Sequence, residues 1–214
     1  MKKTKIDDGY SSYLVEGATF VGRYQIPQLI FQKVPIPKVL IPFDKRKKHD
    51  GKNQAIDFYM HDRFFNQIIT HANRYLEDLR KFESIITPDC SLYRDMPLCL
   101  QITNTYFNRA VGHFLQRNGL TVIPTVRWGD ERSFEFCFDG IPHNSMVAVS
   151  THGCIHSNED KYYFRLGLET MIKTLHPSIV LVHGQMPTNV FKSTSAETEY
   201  IHYDSYIKLV KEGE

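Results

Sequence analysis

Apolar residues in this chain gather into short β-branched runs that stop abruptly at polar or ionisable residues. Ser84-Ile85-Ile86-Thr87 runs into Pro88-Asp89, and Thr121 to Val126 runs into Arg127-Trp128-Gly129-Asp130-Glu131-Arg132. Met146 to Ser150 precedes Thr151-His152-Gly153, and Ser178 to Val182 precedes His183-Gly184. Between these runs apolar residues recur at helical spacing, so the pattern predicts βα repeats with a mainly parallel sheet. Val39-Leu40-Ile41-Pro42-Phe43 adds a first core strand ending at Asp44. The resulting α/β fold is either an open doubly wound sheet or an incomplete TIM-barrel-like one. Both architectures bind ligands beyond the carboxyl ends of their strands, where these polar clusters fall.

The remaining segments complete the outline. Residues 1–38 have no clean period and contain Pro27, Pro35 and Pro37, which predicts an irregular N-terminal arm with a short edge strand around Leu29 to Phe31. Lys45 to Asn53 reads as a loop, and Asp57 to Phe82 as a helix broken near His61-Asp62. A second helix follows Pro97, with Leu98, Ile102, Tyr106, Phe107, Val111 and Leu115 as its buried face and Asn118-Gly119 as its stop. A third begins at Asn158-Glu159-Asp160, where a capping residue precedes acidic residues in the first turn, and ends at Pro177. Beyond Gly184 no strand is expected: Ser193 to Glu199 reads as an exposed loop and Tyr200 to Val210 as a final amphipathic helix. The core domain thus spans 39–185, with 186–214 as a loop and helix packed on it.

Composition narrows the class. The chain has 214 residues, 42% hydrophobic and 23% charged, which suits one domain with a substantial core and argues against disorder. No apolar segment near the charged N-terminus is long enough for a signal-peptide core or a membrane span, so a cytoplasmic protein with no membrane association is expected. Cys90, Cys99, Cys137 and Cys154 lack paired spacing and read as free thiols. A net charge of +2 does not by itself imply nucleic-acid binding, although Lys45-Arg46-Lys47-Lys48-His49 is a local basic run.

Candidate chemistry lies at the strand ends. Arg127 and Arg132 can hold phosphate or carboxylate oxygens, and Trp128 can stack on a base or sugar. The bland alternative is that both arginines pair with Asp89, Asp130 or Glu131 and brace the loops. Asp89 and Asp130 are candidate bases, and with Glu131 they would suit glycoside hydrolysis if suitably spaced; Asp89 can equally cap its own turn. Arg94 shares a loop with Asp95 and joins the ligand-binding candidates, as do Thr151 and His183. His152 is a candidate acid or hydrogen-bond donor, against the alternative of a structural histidine. His152, Cys154 and His156 alternate, yet match no established zinc pattern, so no metal is assigned. Cys90 and Cys154 lie beside these loops but suit packing better than nucleophilic attack. With neither a Walker-type loop nor a G-x-G-x-x-G turn, P-loop and dinucleotide chemistry are disfavoured, and no motif names a cofactor.

The motifs Ile86-Thr87-Pro88-Asp89, Ser91-Leu92-Tyr93-Arg94-Asp95-Met96-Pro97, Arg127 to Arg132, Phe138-Asp139-Gly140-Ile141-Pro142 and Ser150-Thr151-His152-Gly153 together resemble an uncharacterised family of bacteria, their phages and mobile elements, known only as a domain of unknown function. The resemblance covers about residues 35–185. It lends no activity, cofactor or catalytic residue, but a phage setting implies a protein that manages nucleic acid or counters host defence.

Two functions are therefore expected to compete. One is a protein that binds a phosphorylated, nucleotide-like ligand at the strand ends and acts on it by hydrolysis or transfer. Arg127 and Arg132 would hold the anion, Trp128 would stack, Asp89 or Asp130 would serve as base or metal ligand, and His152 as acid or donor. The other is a module without chemistry that binds nucleic acid or protein through the basic run, the aromatic arm with Tyr10, Tyr13, Phe20 and Tyr24, and the C-terminal helix. Neither reading specifies an oligomeric state.

Overall fold

The computed structural model describes residues 10–191 and 198–212. The charged N-terminus and most of the Ser193 to Glu199 segment lie outside them. The arm carries a two-stranded antiparallel ribbon, β1 (Phe20–Val21) with β2 (Ile26–Pro27). Leu29 to Phe31, expected as an edge strand, is not a strand; the Leu29 amide instead donates to the Gly140 carbonyl at 2.8 Å.

The body is built on parallel strands. In chain order come β3 (Val39–Pro42), β4 (Gln54–Asp57), α1 (Asn66–His71), α2 (Leu76–Leu79), β5 (Ser84–Ile86), α3 (Leu98–Arg117) and β6 (Val122–Ile123). There follow β7 (Met146–Ser150), α4 (Asn158–Leu175), β8 (Ile179–His183), α5 (Thr188–Phe191), β9 (Glu199–Tyr203) and α6 (Tyr206–Glu212). Strands β3-β4-β5-β6 form one parallel sheet and β7-β8-β9 another, each in chain order. A parallel bridge between Thr125 and Ala148 joins them, carried by Val126 N to Ala148 O and Ala148 N to Pro124 O, both 2.9 Å.

Alternation along each strand sorts side chains into two layers. Leu40, Ala55, Ile86, Ile123, Ala148, Leu181 and Tyr203, drawn from all seven of these strands, pack into one cluster. The opposite faces of β3 to β6 meet Ile68, Leu79, Val111 and Phe114 of the first three helices. Those of β7 and β8 meet Phe164, Leu168, Met171 and Leu175 of α4. Burial on both faces explains why these strands read as continuous apolar runs.

Several expectations are corrected. Asp57 to Phe82 is not one helix: β4 occupies its start, and the rest breaks into short turns and the brief helices α1 and α2. The β-branched run Ile68-Ile69-Thr70 is weakly helical, and Asp62 turns its carboxylate to the amide and hydroxyl of Ser91, at 3.0 and 2.8 Å. Tyr200 to Val210 is not one helix either, since its first residues form β9, parallel to β8 with Ile179 opposite Glu199. In α3 the buried face includes Val111 and Leu115 as expected, but Gln101, Thr105, Asn108 and Arg109 are buried beside them while Leu98 is 37% exposed. This half of the helix covers strand ends and loops, whose backbone groups require polar partners. The start of α4 holds as read: Ser157 and Asp160 exchange side-chain and backbone hydrogen bonds in a capping box.

Close packing of α4 depends on Gly167. A Cβ there would collide with the Trp128 indole. We therefore expect Gly167→Ala to destabilise the protein by about 1–3 kcal/mol despite alanine's better helix propensity. Thermal melting should show a drop of several degrees, and an unchanged melting point would contradict this packing.

Candidate functional site

A cleft of about 620 Å³ opens at the carboxyl ends of β5, β6 and β7 and is closed on one side by the first turns of α4. Of the residues singled out above, it brings together Arg94, Arg127, Trp128 and Asp130, along with Tyr93, Asp95, Ser150, Cys154, Glu159, Asp160 and Tyr163. Asp89, Arg132, His152, Thr151 and His183 do not line it.

Arg127 is the central cation. Its side chain is 16% exposed, and its Nη1 lies 3.3 Å from Asp89 Oδ2, with Asp89 11% exposed behind it. Burial pulls the guanidinium down, but Asp89, the Cys154 thiol, Tyr93 and Asp62 together outweigh that and leave it above its ordinary range. Asp89 is pushed up, by burial first, against the opposing pull of Arg127. Its Oδ1 is buried and has no hydrogen-bond partner among the described residues. Asp89 thus stands as an orienting carboxylate behind Arg127, which faces the cleft.

The other arginines are braced. Arg94 Nη2 donates to Asp160 Oδ1 at 2.7 Å, its Nη1 pairs with Glu159 at 3.2 Å, and its guanidinium lies over the Tyr163 ring at 4.6 Å. Arg132 Nε donates to both oxygens of Asp130 at 3.0 Å, and its Nη2 donates to the Arg94 carbonyl at 2.5 Å. Asp130 also caps its own turn by accepting from the Arg132 amide. Trp128 is 7% exposed, packs against Phe164 and donates from Nε1 to the Tyr163 carbonyl at 3.3 Å, so its ring belongs to the wall. The lining is acidic overall, with two guanidiniums set against Asp95, Asp130, Glu159 and Asp160.

A second polar group lies at the same strand ends. His183 Nδ1 lies 3.1 Å from Ser150 Oγ, and that oxygen accepts the His152 amide at 3.2 Å. The His183 ring stacks on Tyr59 at 4.6 Å. Thr151 Oγ1 donates to the Gln185 carbonyl at 2.7 Å, tying the end of β7 to the chain beyond β8. Burial, with His152 and His202 nearby, lowers His183 to about 4, so it is neutral at neutral pH. Asp57, at the end of β4, accepts the Tyr59 amide at 2.9 Å; burial, reinforced by Asp44 and Asp89, outweighs that bond and pushes its carboxyl up to about 7. Residue type alone did not single out Asp57, Tyr59 or Ser150, although Asp57 does end a short apolar run.

Gly153 has φ +75° and turns the chain between His152 and Cys154. Cys154 donates to the His152 carbonyl at 3.2 Å, and burial raises its thiol. Among the described residues no group of three or more His, Cys, Asp or Glu side chains is placed to hold a metal ion. The basic run is divided: Arg46 pairs with Asp78 at 3.2 Å and lies over Phe43, while Lys45 pairs with Asp44 at 2.7 Å. No helix among the described residues is long and apolar enough to cross a membrane.

The shifts of Asp57 and His183 act oppositely on stability. A carboxyl raised from 3.8 to about 7 stabilises the fold at low pH and loses that contribution as pH rises through about 7. A histidine lowered from 6.5 to about 4 stabilises it above its ordinary value and loses that contribution as pH falls toward about 4. Asp57→Asn keeps an oxygen for the Tyr59 amide and removes the buried charge. Its melting-point advantage over wild type should be smallest near about pH 4 and grow to about pH 8. A pH-independent difference would contradict this environment for Asp57.

Comparison with known proteins agrees with a phage-associated family. The chain is 35% identical over 166 residues to the Gene 1 protein of Mycobacterium phage L5, covering 76% of this chain and 72% of that protein. It is also 35% identical over 132 residues to the Gene 1 protein of Mycobacterium phage D29, covering 62% of this chain and about half, 49%, of that protein. No solved structure matches. Residues 18–204 match a family described as Domain of unknown function (DUF4417), and the chain belongs to that family.

Proposed function

We propose that this protein binds a small phosphorylated or nucleotide-like ligand in the cleft at its strand ends. We also infer that the two parallel sheets curve into one incomplete barrel, because the strands follow chain order and all contribute to one inner cluster. The cleft then lies at the face where such folds place their ligands.

The observation that carries the reading is the state of Arg127. It lines the cleft, is largely buried, and meets one carboxylate oxygen and a thiol, which leaves most of a guanidinium's donors for a ligand. Asp89 behind it sets its orientation without filling those donors. The carboxylates of the lining limit the anion to a single group and suit hydroxyl or amine donors elsewhere on the ligand, which favours a monophosphate over a polyphosphate. Hydrolysis or transfer in this cleft would fall to Asp130, the lining carboxylate that shares a loop with Arg127. The alternative of a nucleic-acid module loses support where Arg46 and Lys45 spend their charge on internal pairs.

Replacing both members of the buried pair tests this without stranding a charge. Arg127→Met with Asp89→Asn should melt close to wild type. Wild type should be stabilised by nucleoside or sugar monophosphates, by about 2.7 kcal/mol at one hundred times the dissociation constant. The double variant should show no such shift, and a shift that persists in it would place the ligand elsewhere.

A further inference from the structure

Among the described residues, the cleft wall includes one half-exposed aromatic ring. Trp128 and Phe164 are 7% and 6% exposed and packed on each other, and Arg94 lies over the Tyr163 ring. Tyr93, in contrast, lines the cleft and is 50% exposed. A half-exposed tyrosine alone would mean little, but its backbone carbonyl is held by two donors. The Tyr93 carbonyl accepts from Gln101 Nε2 at 3.0 Å and from the Met96 amide at 3.0 Å. Gln101 is fully buried in α3 and donates also to the Met96 carbonyl at 2.9 Å. Gly129 lets this loop approach, since a Cβ there would crowd both Gln101 Oε1 and the Tyr93 carbonyl. Asn104 Nδ2 holds the Ser91 carbonyl at 2.6 Å, and the Tyr93 hydroxyl donates to Ser91 Oγ at 3.1 Å, since the Ser91 proton goes to Asp62. A rigid backbone therefore presents an open ring at the cleft wall, so little ordering entropy remains to be lost on binding.

We infer that Tyr93 is a stacking platform for a flat heteroaromatic ring and that the cleft selects nucleotides over sugar phosphates. This rests on the reading of Arg127 as the group that holds the anion. Arg127 takes the phosphate, Tyr93 takes the base, and the rim carboxylates accept hydrogen bonds from ribose hydroxyls or exocyclic amines. Stacking reads the face shared by all bases, so the selection is for a base as such and not for one base over another.

Titration of AMP and of ribose 5-phosphate into wild type, Tyr93→Phe, Tyr93→Ala and Arg127→Lys separates the two readings. AMP should bind wild type at least about fivefold more tightly than ribose 5-phosphate, the lower end of what a stacked base contributes. Tyr93→Ala should remove that advantage and leave ribose 5-phosphate affinity unchanged, while Tyr93→Phe should keep it. AMP binding no tighter than ribose 5-phosphate in wild type, or equal losses of both in Tyr93→Ala, would overturn the platform while leaving the anion site standing. Undiminished affinity for both ligands in Arg127→Lys would overturn the anion site, and failure of both to bind wild type would overturn both.

Discussion

The two parallel sheets meet along a seam where the backbone ladder is thin, and a buried polar network holds it. β6 is two residues long, and Pro124 beyond it has no amide to donate. Side chains supply what the ladder lacks. Thr87 Oγ1 accepts the Thr125 amide at 2.8 Å and donates to Asn108 Oδ1 at 3.0 Å. Arg109 donates to Asn108 Oδ1 and to the carbonyls of Thr125, Cys137 and Asp139, the last three at 3.1, 2.7 and 3.0 Å. Burial lowers this guanidinium only to about 10, so it stays charged at neutral pH and each carbonyl gains a charge-assisted bond. The residues just past this network are Val126 and Arg127, which places the candidate ligand group directly on the joint between the sheets.

Charge at the site follows the same economy of partners. Arg94, Arg127 and Arg132 each have a carboxylate within reach, yet their environments differ. Arg132 is exposed and braces a loop, Arg94 is locked to the start of α4, and Arg127 is buried with donors to spare. The same residue type thus meets two environments, braced at the rim and largely buried within. On the proposed reading, the acidic lining would temper attraction for anions and favour a ligand with one charged group and several donors.

Much of the frame was legible because parallel strands covered on both faces leave long apolar runs, and because Ser157-Asn158-Glu159-Asp160 and Asn118-Gly119 announce helix ends. β4 and β9 were not. Gln54-Ala55-Ile56-Asp57 is too short and too polar to stand out, and Glu199 to Tyr203 alternates at an edge where only part of each face is buried. The position of the cleft was legible from ionisable residues at strand ends, but the way its side chains pair was not. Trp128 invites a stacking role by residue type, but Gly167, distant in sequence, admits it into the wall. Tyr93 carried no chemical signal of its own, because its value lies in being left open. Gln101, Thr105, Asn108 and Arg109 recur at helical spacing along α3, and a polar stripe of that kind marks a helix laid over backbone ends that need partners.

If the seam is what sets the cleft, its amides should be among the last to open. Native-state hydrogen exchange at Val126 and Ala148, whose amides bridge the sheets, measures this directly. Exchange only through global unfolding, with the opening energy matching that of the whole protein, is the predicted result. Exchange through a local opening well below that energy would mean that the strand ends move independently and that the network around Arg109 does not position the site.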